Sequence, residues 1–216
     1  MRAVHTLGAL FAIPLSGLAA QDVAIGPQAL FGDYREVSSD LHYRGTGGGL
    51  ALSVGYKKLG AEASVARITY KPTTDGTATQ EFDATQLDLR LRYYLAGPFS
   101  AELGFTSRKM EPEFEAQSIG AVTAGARMAY LLGPGVHMNL RGGLLFGAKF
   151  SGGGKSSPLG AIELGLGLGV DALRGRLRVM GNYDFQRITR EANDGSGEVE
   201  VPIQQSVGRV GFAIVF

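Results

Sequence analysis

From Ala161 to Asp171 the chain splits cleanly by alternate positions. Ile162, Leu164, Leu166, Leu168 and Val170 fall on one face, and Ala161, Glu163, Gly165, Gly167, Gly169 and Asp171 on the other. A helix would scatter these residues around its circumference, whereas a strand separates them. The same period of two recurs in Leu87 to Leu95, Val122 to Tyr130, Val136 to Phe146 and Leu177 to Phe185. It predicts ten strands, near 27–38, 48–58, 61–71, 84–96, 99–110, 117–132, 136–150, 158–172, 176–190 and 202–216. Each has about ten residues or more, enough to cross a bilayer at the usual tilt. The first and third are the least regular. Arg67 falls on the apolar side of the third unless a bulge shifts the register there.

The connections alternate too. Tyr56 to Gly60, Ala96 to Pro98, Leu132 to Gly135 and Ala172 to Gly175 read as tight turns. Between them lie polar stretches read as longer loops, Ser38 to Gly47, Pro72 to Asp83, Met110 to Gln117, Ser151 to Ser157 and Glu191 to Val201. Short turns at one end and longer loops at the other suit an all-β, transmembrane, antiparallel up-and-down barrel of about ten strands, with eight as the alternative. An even strand count puts both termini on the periplasmic side.

Composition narrows the class. Glycine, at 33 of 216 residues, is about twice its average usage of roughly 7%. A mean hydropathy of +0.05 looks soluble, but a membrane barrel alternates its residues and shows no long apolar run. Lys+Arg 21 against Asp+Glu 20 excludes a strongly basic nucleic-acid binder. The absence of cysteine excludes disulfides, thiolate metal sites and a cysteine nucleophile. Residues 1–20 read as a cleaved signal peptide, with Arg2 ahead of an apolar stretch Leu7 to Leu18 and small residues at Gly17 and Ala19. Pro14 interrupts that stretch, which is too short for a span. Residues 21–216 are then the barrel domain, expected in the cell outer membrane.

A soluble β-sandwich or lipocalin-like barrel would alternate as well. The polar faces argue against it, because they mix charges with glycine, which weakens a strand on a water-facing wall. Inside a tight barrel, glycine makes room for long arginine side chains.

The last strand, Val207-Gly208-Arg209-Val210-Gly211-Phe212-Ala213-Ile214-Val215-Phe216, ends in phenylalanine and places Phe212, Ile214 and Phe216 on one face. With the signal peptide, it makes the chain resemble the small Gram-negative outer-membrane β-barrel proteins, the class of the outer membrane protein A barrel and the opacity and adhesion barrels. The resemblance implies that this strand is the segment read by the outer-membrane assembly machinery, and that outer-membrane lipid and lipopolysaccharide surround the barrel. Two departures stand out. Most small members have eight strands, and their aromatic girdles often contain tryptophan, which this chain lacks. Tyr56, Tyr93, Phe99, Tyr130, Phe146, Phe150, Tyr183, Phe185 and Phe212 are expected to form the girdles instead.

By alternation the lumen receives Arg90, Arg92, Arg108, Arg127, Arg141, Lys149, Arg176, Arg178 and Arg209 as cations. Its anions are Glu62, Asp88, Glu102, Glu163, Asp171 and Asp184. A salt-bridged plug is one expectation, since charges too costly to bury alone are paired. A narrow passage is the other, in which surplus cations, with Arg90 and Arg92 facing Arg176 and Arg178, give a preference for anions.

Catalytic and metal chemistry finds little support. Ser39, Asp40 and His42 are neighbours on one loop, an arrangement poorly suited to a nucleophile, base and orienter. His137 reads as a lumen hydrogen-bonding residue. Asp194, Ser196 and Glu198 lack the remaining ligands of a calcium loop. Glu111, Glu113 and Glu115 read as a charged strand extension, and Gly152-Gly153-Gly154-Lys155-Ser156 as a flexible tip without phosphate-loop spacing. No cofactor, metal or nucleic-acid partner is expected. The expected role is non-enzymatic and structural or interaction-related, in envelope integrity, adhesion or as an accessory subunit. A narrow anion-preferring porin-like channel is the alternative, and a lipid hydrolase or protease the least favoured.

Overall fold

The computed structural model describes residues 22–112, 114–156, 160–193 and 198–216, so the signal-peptide reading lies outside the described residues. Ten strands form a closed antiparallel barrel in simple sequential order. They are β1 (Asp22–Glu36), β2 (Leu41–Tyr56), β3 (Leu59–Pro72), β4 (Phe82–Tyr94), β5 (Phe99–Glu111), β6 (Ile119–Gly133), β7 (Val136–Phe150), β8 (Ala161–Ala172), β9 (Leu177–Asn193) and β10 (Glu198–Val215). Pairing of β1 with β10, as in Ala24 opposite Val215, closes the ring and leaves no open edge. Strand ends differ from the sequence reading by a few residues. The largest change is in the first outer connection, which is a short turn at 37–40, with β2 already begun at Leu41.

The strands run to 12 residues in β8 and 18 in β10, more than the roughly 9–11 that a tilted strand needs to cross hydrocarbon. The excess lies at the end opposite the tight turns, where the barrel's polarity inverts. On β3, Leu59 and Val65 face outward and are exposed, but Arg67, Thr69 and Lys71 follow them on the same face. Inward, Glu62 and Ser64 give way to Ala66, Ile68 and Tyr70. β4 mirrors this, with Leu91, Leu89 and Leu87 succeeded outward by Thr85, and Arg90 and Asp88 succeeded inward by Ala84 and Phe82. The lower barrel is thus apolar outside and charged inside, suited to lipid. The upper collar is polar outside with an apolar core, like a soluble barrel.

Arg67 needs no bulge. β2, β3 and β4 pair without a register shift, and Arg67 points outward above the apolar band, 2.8 Å from Asp83. A shift does occur in β7, around Gly147, whose φ of 60 is a left-handed conformation that favours glycine. The extra residue flips the phase of the strand's end. Lys149, expected in the lumen, is exposed on the outside, and Phe150, expected in a girdle, is buried inside. The other girdle aromatics named from sequence avoid the core, and Tyr56, Tyr93, Phe99, Tyr130, Phe146, Tyr183 and Phe212 are exposed.

Candidate functional site

The interior has two layers with different chemistry. Nearest the outer mouth, Tyr34 of β1, Tyr43 of β2, Tyr70 of β3 and Phe82 of β4 form an aromatic cluster buried among Leu30, Ile68, Met110, Leu145, Ile188 and Ile203. Tyr70 stacks on Phe82 at 4.9 Å between centroids, and Tyr34 meets Phe82 edge-on at 5.5 Å. Gly32 permits this packing, since a Cβ there would lie 2.5 Å from the Tyr70 hydroxyl oxygen. The third outer loop closes the cluster from above. Phe114 packs on Phe82 at 4.8 Å and on Tyr43 at 5.5 Å. Behind it the 3-10 turn Glu115–Gln117 places Gln117 to accept from the Tyr34 hydroxyl and donate to Glu36.

Below the aromatic layer lies the charged one. Arg90 donates to both oxygens of Glu163 at 2.7 and 3.0 Å across the lumen. Arg127 donates to both oxygens of Glu62 at 2.8 and 2.9 Å and lies 2.6 Å from Glu102, while Arg92 is 3.1 Å from Glu62. Arg209 bridges Asp88 and Asp184, and Arg141 donates to Asp184 at 2.6 Å. Thr106 and Gln86 complete the shell of Asp88, at 2.7 and 2.8 Å. Arg108, at the boundary with the apolar core, donates to Gln186 at 2.7 Å. The glycine rows work as expected at Gly165, where a Cβ would lie 2.5 Å from Arg141 Nε and 2.9 Å from an Asp184 oxygen.

Towards the periplasmic end this network opens into a cavity of about 430 Å³, lined among others by Arg92, His137, Asn139, Arg178 and Asn182. Asp171 joins two of them, accepting from Arg178 Nε at 2.7 Å and lying 2.6 Å from His137 Nε2. His137 is the lumen hydrogen-bonding residue that the sequence indicated.

Of the lumen cluster expected from sequence, the structure brings together Arg90, Arg92, Arg127, Arg141, Arg178, Arg209, Asp88, Glu102, Glu163, Asp171 and Asp184. Arg176 is a correction, since it sits exposed in the turn Leu173–Arg176 with helical backbone angles, outside the strand that would have aimed it inward. Loss of Arg176 and Lys149 from the lumen, and the addition of Asp22 beside Arg178 at 3.7 Å, remove the expected positive surplus. Arg90 faces Glu163 of β8 and not the arginines of β9.

Outside the barrel, His42 is not on a loop but on the outward face of β2, buried beneath the second outer loop. Its Nε2 is 2.9 Å from Asp33 and its Nδ1 3.2 Å from Asp75, while Thr73 N–H donates to its carbonyl at 3.0 Å. Hydrogen bonds from the Thr73 hydroxyl first, then from its own backbone N–H, hold the Asp75 carboxyl below the usual aspartate range. Ser39 turns away and donates to Glu36 at 2.6 Å, so Ser39, Asp40 and His42 form no catalytic constellation. The glycine-rich tip is clamped rather than free, because Arg190 donates to the carbonyls of Gly152 and Gly153 at 3.0 and 2.7 Å. Glu111 lies against Lys109. Glu113, Asp194 and Ser196, and the side chain of Glu198, lie outside the described residues. Among the described residues no group of histidine and carboxylate side chains is arranged to hold a metal. Phe212, Ile214 and Phe216 all face outward and are exposed.

Sequence reasoning missed the aromatic cluster. The available signal was Arg67, whose place on the apolar side marks the height at which the two faces exchange roles.

No protein-family model matches the chain, and no curated protein sequence does. Among solved structures it is similar to Neisserial surface protein A, at 12% identity and a TM-score of 0.39 over 89% of this chain and 96% of that one. It is also similar to OprG from Pseudomonas aeruginosa, at 13% identity and a TM-score of 0.39 over 91% and 96%. The outer membrane protease OmpT from Escherichia coli aligns with a TM-score of 0.52 at 10% identity, over 92% of this chain and 98% of that one. At that identity the likeness shows the fold and not the chemistry, and the fold is that of a Gram-negative outer-membrane β-barrel.

Proposed function

We propose that this protein is a sealed, non-enzymatic outer-membrane barrel whose role is structural or interaction-based, with the projecting collar as its outward-facing surface. The observation that carries this reading is the aromatic cluster capped by Phe114 and Gln117, which fills the outer mouth. A passage needs a continuous polar path, and here an apolar layer lies between the charged lumen and the exterior. The paired lumen charges support the same reading, since ion pairs across the lumen hold the strands together and leave little free charge to attract ions. Both described histidines are engaged by aspartates, and neither faces a serine or threonine nucleophile.

Planar-bilayer recording of the refolded protein tests this. We expect no steady conductance above that of the bare bilayer, and small openings once Tyr34, Tyr70 and Phe114 are replaced together by alanine. A reproducible steady current from the unmodified protein would overturn the proposal and favour the channel. We further propose that residues 1–20 are removed on export, so the mass of protein purified from outer membranes should correspond to a chain starting at Ala20 or Gln21.

A further inference from the structure

We propose that the outward wall just above the apolar band is a binding surface for the phosphate groups of the outer-leaflet glycolipid, centred on Arg35, Arg44, Lys71 and Arg187. These residues occupy neighbouring strands across the barrel's closure, and all four are exposed. Arg187 of β9 stands opposite Gln204 of β10, which stands opposite Arg35 of β1. Arg44 of β2 stands opposite Lys71 of β3. With strands about 4.8 Å apart, Arg187 and Arg35 are roughly 10 Å from one another. The patch therefore has the breadth of a lipid headgroup rather than of a single ion.

Its height matches the same partner. Arg35 lies two outward positions beyond the exposed Phe31, and Arg187 lies one beyond Phe185. The cations thus begin where the lipid-facing surface ends, at the level of the headgroup phosphates. One carboxylate, Asp33 of β1, lies within the patch opposite Arg44 and is engaged by His42, whereas exposed Glu200 lies further out along β10 than Gln204.

Three of the four charges also have no carboxylate partner among the described residues. Among the described residues Arg35, Lys71 and Arg187 make no ion pair, and the carboxylate nearest to Arg44 is Asp33 at 3.9 Å, which His42 engages at 2.9 Å. By contrast, Arg67 and Lys109 elsewhere on the collar are matched by Asp83 and Glu111. Like charges directly opposite on a ladder, as in Arg44 and Lys71, destabilise it. An anion shared between them reverses the sign of that interaction, and guanidinium forks match phosphate oxygens in pairs.

This inference rests on the outer-membrane location alone and stands whether or not the lumen conducts. It is tested with the full barrel in zwitterionic micelles, titrated with diphosphorylated lipid A and with the same lipid stripped of both phosphates. We expect at least about tenfold tighter binding of the phosphorylated form, weakening as salt is raised. The variant R35Q/R44Q/K71Q/R187Q should lose this preference, while K57Q/K58Q on the periplasmic turn should retain it. The double variant R35Q/R187Q should show a partial loss if the fourfold variant fails to fold. Equal binding of both lipids by the unmodified protein, or an undiminished preference in the double and fourfold variants, would overturn the proposal.

Discussion

Arg90 on β4 and Glu163 on β8 meet across the lumen through two hydrogen bonds of 2.7 and 3.0 Å, both side chains almost fully buried. Such a bond ties opposite walls of the barrel together, which neighbouring-strand pairing alone does not do. Removing one partner strands a charge, whereas removing both does not. Glu163→Gln should therefore destabilise the barrel by about 3–5 kcal/mol, and Arg90→Met combined with Glu163→Leu should recover most of that loss. Urea unfolding in lipid vesicles measures both.

Tyr70 and Gly32 should be energetically coupled. Tyr70→Ala removes a fully buried ring and should cost about 3–5 kcal/mol, while Tyr70→Phe loses only the bond from Gln205, at about 1 kcal/mol. Gly32→Ala places a Cβ against the Tyr70 hydroxyl and should destabilise the unmodified protein. In the Tyr70→Ala background that penalty should largely vanish, a non-additivity that a double-mutant cycle measures.

Acid should loosen the collar at the outer ends of β3 and β4. Hydrogen bonds from the Thr69 hydroxyl, and then from Arg67, hold the Asp83 carboxyl below its ordinary range. A lowered folded value means the contribution is present above the unfolded value of about 3.9 and is lost as pH falls through the folded one. Hydrogen exchange at the outer ends of β3 and β4, corrected for intrinsic rates, should rise as pH drops below about 4. In Asp83→Asn the pH-dependent part of that rise should be smaller.

The bulge at Gly147 decides which way the end of β7 faces. A membrane-impermeant maleimide added to intact cells should label Lys149→Cys and leave Ala148→Cys untouched. Gly147→Val forces a branched side chain into a φ of 60 and should cost at least about 1 kcal/mol.

The terminal aromatic face should govern assembly more than stability. Phe216 is 76% exposed, so Phe216→Ala leaves no buried cavity. We expect less heat-modifiable protein in outer membranes of cells making that variant, while the refolded barrel unfolds at nearly the unmodified urea concentration.

The sequence by itself determined the strands, their number and their order. An antiparallel ladder places residues on two faces by strict alternation, and hairpin links leave little choice of neighbour. It also determined most of the arginines and carboxylates that share the lower lumen, because Arg90, Glu163 and Asp184 all follow their strand's inward phase, while Arg176 and Asp22 escaped it. Alternation assigns a side chain to a face and is silent about what that face meets at a given height. Height depends on register and on the stagger of all ten strands together, so only the tertiary structure decided where charge inside gives way to Tyr34, Tyr70 and Phe82. A single inserted residue at Gly147 reversed Lys149 and Phe150, an event with no mark in the pattern beyond a glycine among many. The pairing of Arg90 with Glu163, 73 residues apart, and the closure of the mouth by Phe114 exist only once the ring has closed.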